Sequence, residues 1–302
     1  YSFSGNHHLV SIEIPETVTT IKSAPSACTI IGVKGSAAET YALEHNLPFV
    51  DKSTENEEGT LILPDYGTSI WNEGETEEVV PEENLYIVSN AAQLAWIGEQ
   101  TGAGNDFAGK SIVLTTDIDL NSQEWMPIGD NNNPFRGNFD GRNHTISNLK
   151  VTDSDYAGLF GAISSNAATQ TVQISNLNIK NVQISSANYA GALASYARVY
   201  SGAGIQINNC TVSGKISGEK EIGGLLGVIY GGDCNSKIEI NNINSKVNIS
   251  VSSSGSAGGI TGRIRCEDLN ENTYNGTIFI KDCNYSGSIS GASGGWIGGI
   301  AG

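Results

Sequence analysis

The sequence predicts a mostly β chain: a right-handed parallel β-helix, or solenoid, with an N-terminal capping helix, preceded by a small unit of short strands plus one helix. Three observations carry this reading. First, the motif Gly/Ala-Gly-apolar-x-Gly occurs as Ala157-Gly158-Leu159-Phe160-Gly161, as the degenerate Ala190-Gly191-Ala192-Leu193-Ala194, and as Gly223-Gly224-Leu225-Leu226-Gly227, Gly258-Gly259-Ile260-Thr261-Gly262 and Gly298-Gly299-Ile300-Ala301-Gly302. Its spacings are 33, 33, 35 and 40 residues. A second motif precedes each copy, beginning at Ile146, Ile174, Ile207, Ile240 and Ile280. Two motifs in fixed order mark a repeat architecture. Second, the segments between them alternate apolar and polar residues, as in Val172-Gln173-Ile174 and Val247-Asn248-Ile249-Ser250-Val251. Period two places one side chain inward and the next outward on a half-buried strand. Third, no helical pattern long enough for a crossover separates the strands. Stacked turns of short parallel strands satisfy all three, with Ile, Val, Leu and Cys piling into interior columns.

In chain order, residues 1–50 read as short strands, Leu9–Ile14 and Val18–Ile21, broken by Pro15. A helix from Ser36 to about His45 follows, opened by the capping box Ser36-Ala37-Ala38-Glu39 and stopped by Asn46 and Pro48. Residues 51–84 form an acidic linker whose glutamate runs repel one another. Leu61-Ile62-Leu63 and Ile70-Trp71 interrupt it as an apolar patch suited to docking as a strand. Residues 85–302 hold the repeats. At their start, Asn90-Ala91-Ala92-Gln93 is a helix N-cap with its partner Gln, Leu94 and Ile97 give an apolar face, and Gly102 ends the helix, which caps the first repeat. Asn148, Asn176, Asn209 and Asn242 are expected to stack at one corner, with Asp282 in fifth place, because Asn tolerates left-handed geometry. The paired glycines supply tight bends or close backbone approach. The only Met is Met126, residue 1 is Tyr, and Gly302 falls inside a repeat, so an excised piece is expected.

Composition narrows function. The net charge is -16, from 16 Lys+Arg and 32 Asp+Glu, which argues against nucleic acid or an anionic membrane surface as partner. No run of 18 apolar residues offers a membrane span. Gly 37, Ser 33 and Asn 30 make up about a third of the chain, but their regular spacing argues against disorder. The cysteines are Cys28, Cys210, Cys234, Cys266 and Cys283; an odd count excludes full intramolecular pairing. Cys210 and Cys283 take repeat positions held elsewhere by Leu149, Leu177 and Ile243 and read as small buried hydrophobes. Whether Cys234 and Cys266 pair stays open.

Two resemblances follow from the residues. Ile14-Pro15-x-x-Val18-x-x-Ile21, with Gly35-Ser36-Ala37-Ala38-Glu39-x-Tyr41-Ala42 and Leu47-Pro48-Phe49, resembles the C-terminal end of a BspA-type bacterial leucine-rich repeat array. Tyr86-Ile87-x-Ser89-x-Ala91-x-Gln93-Leu94-Ala95-Trp96-Ile97, Phe107-Ala108-Gly109-Lys110, Asp117-Ile118-Asp119-Leu120, Trp125-x-Pro127-Ile128-Gly129 and Phe135-x-Gly137-x-Phe139-Asp140-Gly141, together with the glycine repeats, resemble the GLUG-repeat proteins of bacterial cell surfaces. The second resemblance covers about 215 residues. It implies a secreted or wall-attached, adhesin-like protein; some related repeats precede an IgA-cleaving metallopeptidase domain. The second repeat departs from the pattern, with Ala192 and Ala194 where Leu and Gly are expected.

No catalytic residues, metal ligands or cofactor are assigned. Asp117, Asp119, Asp130 and Asp140 are the carboxylates to test, since carbohydrate-cleaving β-helices cluster such groups. The competing reading is that they cap turn amides. Asp130-Asn131-Asn132-Asn133 lacks the spacing of a calcium loop, His144 has no second His nearby, and His7 and His8 lie at the start of the chain. Neither His-Glu-x-x-His nor Gly-x-Ser-x-Gly occurs, and no glycine motif opens a phosphate-binding helix. The expected function is a non-enzymatic surface or secreted binding module. Its candidate ligand-contact residues are Tyr156, Tyr189, Tyr196, Tyr200, Tyr230 and Trp296, and its partner a host or microbial glycan or an extracellular protein. A polysaccharide-degrading β-helix enzyme and a pure spacer are the alternatives. Oligomeric state is not legible.

Overall fold

The computed structural model describes residues 11–15, 17–21, 29–45, 47, 49–51, 67–166, 170–200, 202–231, 236–252, 254–265, 276–291 and 295–302. His7, His8, Cys28, Cys234, Cys266 and Leu61-Ile62-Leu63 lie outside the described residues. The chain divides into two units, Tyr1–Tyr66 and Gly67–Gly302.

The first unit is a parallel sheet of β1 (Ser11–Glu13), β2 (Thr29–Gly32) and β3 (Phe49–Asp51), with α1 (Ala37–Glu44) between the last two strands. Ser36 caps α1, its hydroxyl accepting from the Ala38 N–H, while Glu39 accepts from the Gly35 N–H at 2.7 Å. The reciprocal cap of the sequence is present, shifted by one donor. Residues 17–21 form no strand, as Pro15 carries the chain out of β1 into a turn. Ile14, Ile30, Ala38 and Ala42 make a small core.

The second unit is mostly β, and its two sheets are parallel. It begins with β4 (Thr68–Ile70), β5 (Leu85–Val88) and α2 (Ala91–Gly102), then β6 (Ser111–Leu114), β7 (Asp117–Asp119), β8 (Asn138–Asp140) and β9 (Thr145–Ser147). The repeats follow as β10 (Lys150–Ala157), β11 (Phe160–Ser165), β12 (Thr171–Ala190), β13 (Ala194–Val199), β14 (Gly204–Gly218), β15 (Glu221–Gly223) and β16 (Leu226–Tyr230). They end with β17 (Lys237–Val251), β18 (Ser256–Gly258), β19 (Thr261–Arg265), β20 (Thr277–Lys281), β21 (Asn284–Tyr285), β22 (Ile289–Gly291) and β23 (Trp296–Gly298). Strands β11, β13, β16 and β19 form the smaller sheet; the others belong to the larger one.

Residues 67–84 are a correction to the linker assignment of 51–84. β4 pairs in parallel with β7, and Trp71 and Val79 are buried in the main core. Their glutamates dominate the composition, but two buried apolar side chains suffice to hold the segment in place.

Repeat spacing becomes register. Tyr86, Ile112, Phe139, Ile174, Ile207, Ile240 and Ile280 pair in succession, one per strand. From Ile112 to Ile240 each is essentially inaccessible, and burying each Ile contributes about 1.5–3 kcal/mol. Asn90 caps α2 by accepting from the Gln93 N–H at 2.9 Å, and Gln93 accepts in return from the Ser89 N–H at 2.7 Å. Leu94 and Ile97 then seat the helix on the core. Cys210 sits between Leu177 and Ile243, and burial pushes its thiol up to about 12, so it behaves as a small hydrophobe.

The long strands bend where an Asn adopts positive φ. In β17 the inward positions run Ile238, Ile240, then Ile243, Ser245 and Val247, and the three-residue step spans Asn242 at φ 53°. Asn176 and Asn209 occupy the same place, at φ 54° and 55°. Their side chains form a file: Asn176 Nδ2 donates to Asp140 Oδ1 (3.0 Å), Asn209 Nδ2 to Asn176 Oδ1 (3.0 Å), and Asn242 Nδ2 to Asn209 Oδ1 (2.8 Å). Asp282, at φ 53°, takes the next place by register. Asn148 does not belong to this file. Ile146 pairs with Ile179, so Asn148 lies between Asp119 and Asn181 in a second, shorter file, and Leu149 leaves the Leu177 column with it.

The second repeat is also corrected by one residue. Ala194 pairs with both Phe160 and Leu226, so Gly191-Ala192-Leu193-Ala194-Ser195 is the structural equivalent of Gly223-Gly224-Leu225-Leu226-Gly227. The expected Leu is present as Leu193. These glycines serve close approach rather than left-handed φ: a Cβ on Gly223 would strike the Leu226 carbonyl, and one on Gly224 the Gly259 carbonyl.

Candidate functional site

The four carboxylates singled out in the sequence are each engaged by the fold. Asp117 Oδ1 accepts from the Thr145 N–H (2.8 Å) and lies 3.2 Å from His144 Nδ1. Asp119 Oδ1 accepts from the Asn121 N–H and from Asn148 Nδ2, both at 2.7 Å. Asp140 Oδ1 accepts from the Arg142 N–H (2.9 Å) as well as from Asn176. Asp130 Oδ1 accepts from the Asn132 and Asn133 N–H groups, both at 2.7 Å. Asp117 and Asp119 share one half-exposed face, as alternation requires, with Ile118 buried between them. Each carboxylate holds turn amides or ends a side-chain file.

The candidate aromatics behave differently, because three outward columns bring them together. At the edge of the larger sheet, Tyr156, Tyr189, Glu221, Ser256 and Trp296 pair in succession. On the smaller sheet, Ala162, Tyr196, Val228 and Arg263 form one column. Ser164, Arg198, Tyr230 and Arg265 form the next. Between these two, Ile163, Ala197 and Ile229 point the other way into the main core. Ala162, Tyr196 and Val228 point away from the main core but are themselves buried as a separate cluster, against which the partly buried Tyr156, Tyr189 and Tyr230 pack.

The rings touch across the two sheets. Tyr156 lies 5.6 Å from Tyr189 and 6.4 Å from Tyr196, the latter edge-on at 82°. Tyr196 and Tyr230 are 4.8 Å apart. Such pairs contribute about 0.5–1.5 kcal/mol beyond area burial. Burial pushes the Tyr196 phenol up to about 12 and raises those of Tyr156 and Tyr230. These phenols therefore stay protonated as donors at neutral pH. Tyr200 joins through Arg198, whose guanidinium carbon is 4.5 Å from its ring centroid. Trp296 stands apart: it shares the Tyr156 column but is 75% exposed and separated from Tyr189 by Glu221 and Ser256.

Sequence reasoning missed the charged members. Glu221 is buried in the tyrosine column, and its Oε1 accepts from Arg265 Nη2 (2.6 Å) and Arg263 Nη1 (3.2 Å). Arg265 also lies 5.5 Å from the Tyr230 ring. The signal was available: Tyr196-x-Arg198, Val228-x-Tyr230 and Arg263-x-Arg265 are the same two outward positions in three consecutive repeats. A second surface, a shallow groove of about 430 Å³ over Lys150, Gln183, Lys215, Asn248 and Ser288, carries polar side chains and no aromatic ring.

No protein-family model matches the chain. Over 97 residues it is 34% identical to a protein of Evansella cellulosilytica named "Putative Gly-rich membrane protein", a match spanning 31% of this chain and 11% of that one. Over 156 residues it is 27% identical to Halomucin of Haloquadratum walsbyi, spanning 48% of this chain and 2% of that one. The chain thus spans a small fraction of these relatives. Among solved structures, one described as "a putative immunoglobulin A1 protease from Bacteroides ovatus" aligns with a TM-score of 0.43 and 18% identity, covering 72% of this chain and 84% of that one. Among the described residues no helix is long and apolar enough to cross a membrane.

Proposed function

We propose that this chain is a non-enzymatic binding module of an extracellular or cell-surface protein, and that its tyrosine-bearing surface receives a glycan. In this reading the second unit is a right-handed parallel β-helix of the GLUG-repeat type, and the first is the end of a BspA-type leucine-rich repeat array. The uninterrupted parallel register from Tyr86 to Ile280 supports the β-helix. The names of the two relatives, a Gly-rich membrane protein and a halomucin, support the surface placement.

The observation that carries the function is the convergence of the part-exposed Tyr156, Tyr189 and Tyr230 from two sheets around the buried Tyr196. Aromatic rings beside protonated hydroxyls suit the apolar faces and hydroxyls of a sugar. A glycan array and a pull-down from extracellular matrix test it. Binding to a glycan, weakened at least tenfold by Tyr189→Ala, is expected. Silence on the array, or binding that Tyr189→Ala leaves unchanged, refutes the reading.

A further inference from the structure

The tyrosine surface gathers cations in a strongly acidic chain. The sequence holds five arginines against a net charge of -16, and Arg198, Arg263 and Arg265 all lie in the two outward columns of the smaller sheet. Among the described residues the carboxylate placed between them is Glu221, whose Oε1 accepts from both Arg263 and Arg265. Arg198 is left over. Among the described residues it makes no hydrogen bond or ion pair; it lies on the Tyr200 ring at 4.5 Å and near the Tyr230 ring at 5.9 Å. A guanidinium held by ring faces keeps its edge N–H groups free, and that planar fork matches a carboxylate.

The other charged groups set the polarity. Asp155 and Asp130 lie toward the Tyr156 end, where Asp155 is bonded by Asn188 Nδ2. The surface therefore has a cationic end at Arg198, Arg263 and Arg265 and an acidic end at Tyr156. The Arg198 fork, with two parallel N–H donors, matches the two oxygens of a planar carboxylate. The columns cross four parallel strands, so at about 4.8 Å per strand the surface is roughly 14 Å long, the dimension of a chain segment rather than of one sugar.

From this, and resting on the glycan-binding reading above, we propose that this surface selects glycan chains bearing carboxylates, with Arg198 as the carboxylate anchor and Tyr156, Tyr189 and Tyr230 as the stacking surface. The test titrates the 302-residue chain with oligogalacturonate and with its fully methyl-esterified counterpart, which differ only in the carboxylates. Sialyllactose and lactose form a second pair.

The free acid should bind at least tenfold more tightly than the ester, with an advantage that falls as salt rises. Arg198→Gln should erase that advantage, bringing the acid-to-ester affinity ratio close to one, and Arg198→Lys should restore part of it. Tyr189→Ala should weaken acid and ester alike. Equal affinity for acid and ester, or discrimination that survives Arg198→Gln, overturns the charge selection and leaves the glycan reading standing. No binding to any sugar overturns both. Preference for sialyllactose over lactose with no uronate binding would uphold the carboxylate anchor and overturn the chain-binding geometry.

Discussion

Replacing Asn209 separates two contributions that coincide at one residue. Its backbone is left-handed, at φ 55°, and its side chain carries two bonds of the file, donating to Asn176 at 3.0 Å and accepting from Asn242 at 2.8 Å. Each bond contributes about 0.5–1.5 kcal/mol, and its exposure argues for the lower half of that range. Forcing a Cβ-bearing residue without a local hydrogen bond into the left-handed region costs about 1 kcal/mol more. Asn209→Ala loses both contributions and should destabilise by about 2–3 kcal/mol. Asn209→Gly loses only the bonds and should recover about 1 kcal/mol of that. Asn209→Asp keeps the acceptor for Asn242 and a tolerated φ, so it should be the mildest at neutral pH. It should improve as pH falls through about 4, where a protonated carboxyl regains a donor. Urea unfolding with unchanged m-values measures the three, and hydrogen exchange of residues 205–216 localises the effect. If Gly is no better than Ala, and Asp no better than Gly, neither the strain nor the file contributes as argued.

Other perturbations probe the same framework. Asp282 stands at φ 53° next to Asn242 but has no side-chain N–H to donate, so Asp282→Asn should extend the file by one bond and raise stability by about 0.5–1 kcal/mol, read from the denaturation midpoint. Ile207→Val should cost about 0.5–1.5 kcal/mol and Ile207→Ala about 2–5 kcal/mol, because Ile174 and Ile240 hold the space open on either side. Ile280→Ala, at the half-buried end of that column, should cost less than half as much as Ile207→Ala by the same assay. The phenols of Tyr156, Tyr196 and Tyr230 lie above their unfolded value of 10, so the stability they contribute is complete below pH 10 and lost as pH climbs through their raised folded values, about 12 for Tyr196. Phenolate absorbance in native protein should lag that in urea across this window; coincident titrations would contradict their burial.

The sequence made the long-range register legible and the local register less so. Ile174, Ile207 and Ile240 recur at a spacing of 33, and spacing between identical residues survives into the fold as direct pairing. Asn148 was misplaced because Ile-Ser-Asn-Leu occurs at 146–149 and at 174–177, although only the second lies in the main file. The short motif is the signature of a bend, and the chain bends in more than one place. In the second repeat, Ala190-Gly191 imitates Ala157-Gly158, yet one residue more separates it from the following strand. In residues 67–84 the Ile70-Trp71 patch was legible as a docking segment and pairs through Ile70 while burying Trp71, but the glutamate runs hid Val79, since burial is decided by individual side chains. At the site, the tyrosines were visible as residue types. Glu221 and its arginines were not, since the Glu221–Arg265 contact joins residues 44 apart on different sheets.

Every link in the main amide file points the same way, from the later strand back to the earlier, ending on the carboxylate of Asp140. The aligned side-chain dipoles add up like those of a small electret, and Asp140 sits at their positive pole. The two ends of the file differ in what meets them. Asp140 receives the donor end, a carboxylate accepting an amide N–H. At the far end the free acceptor of Asn242 meets Asp282 by register, so that pole sets one acceptor against another.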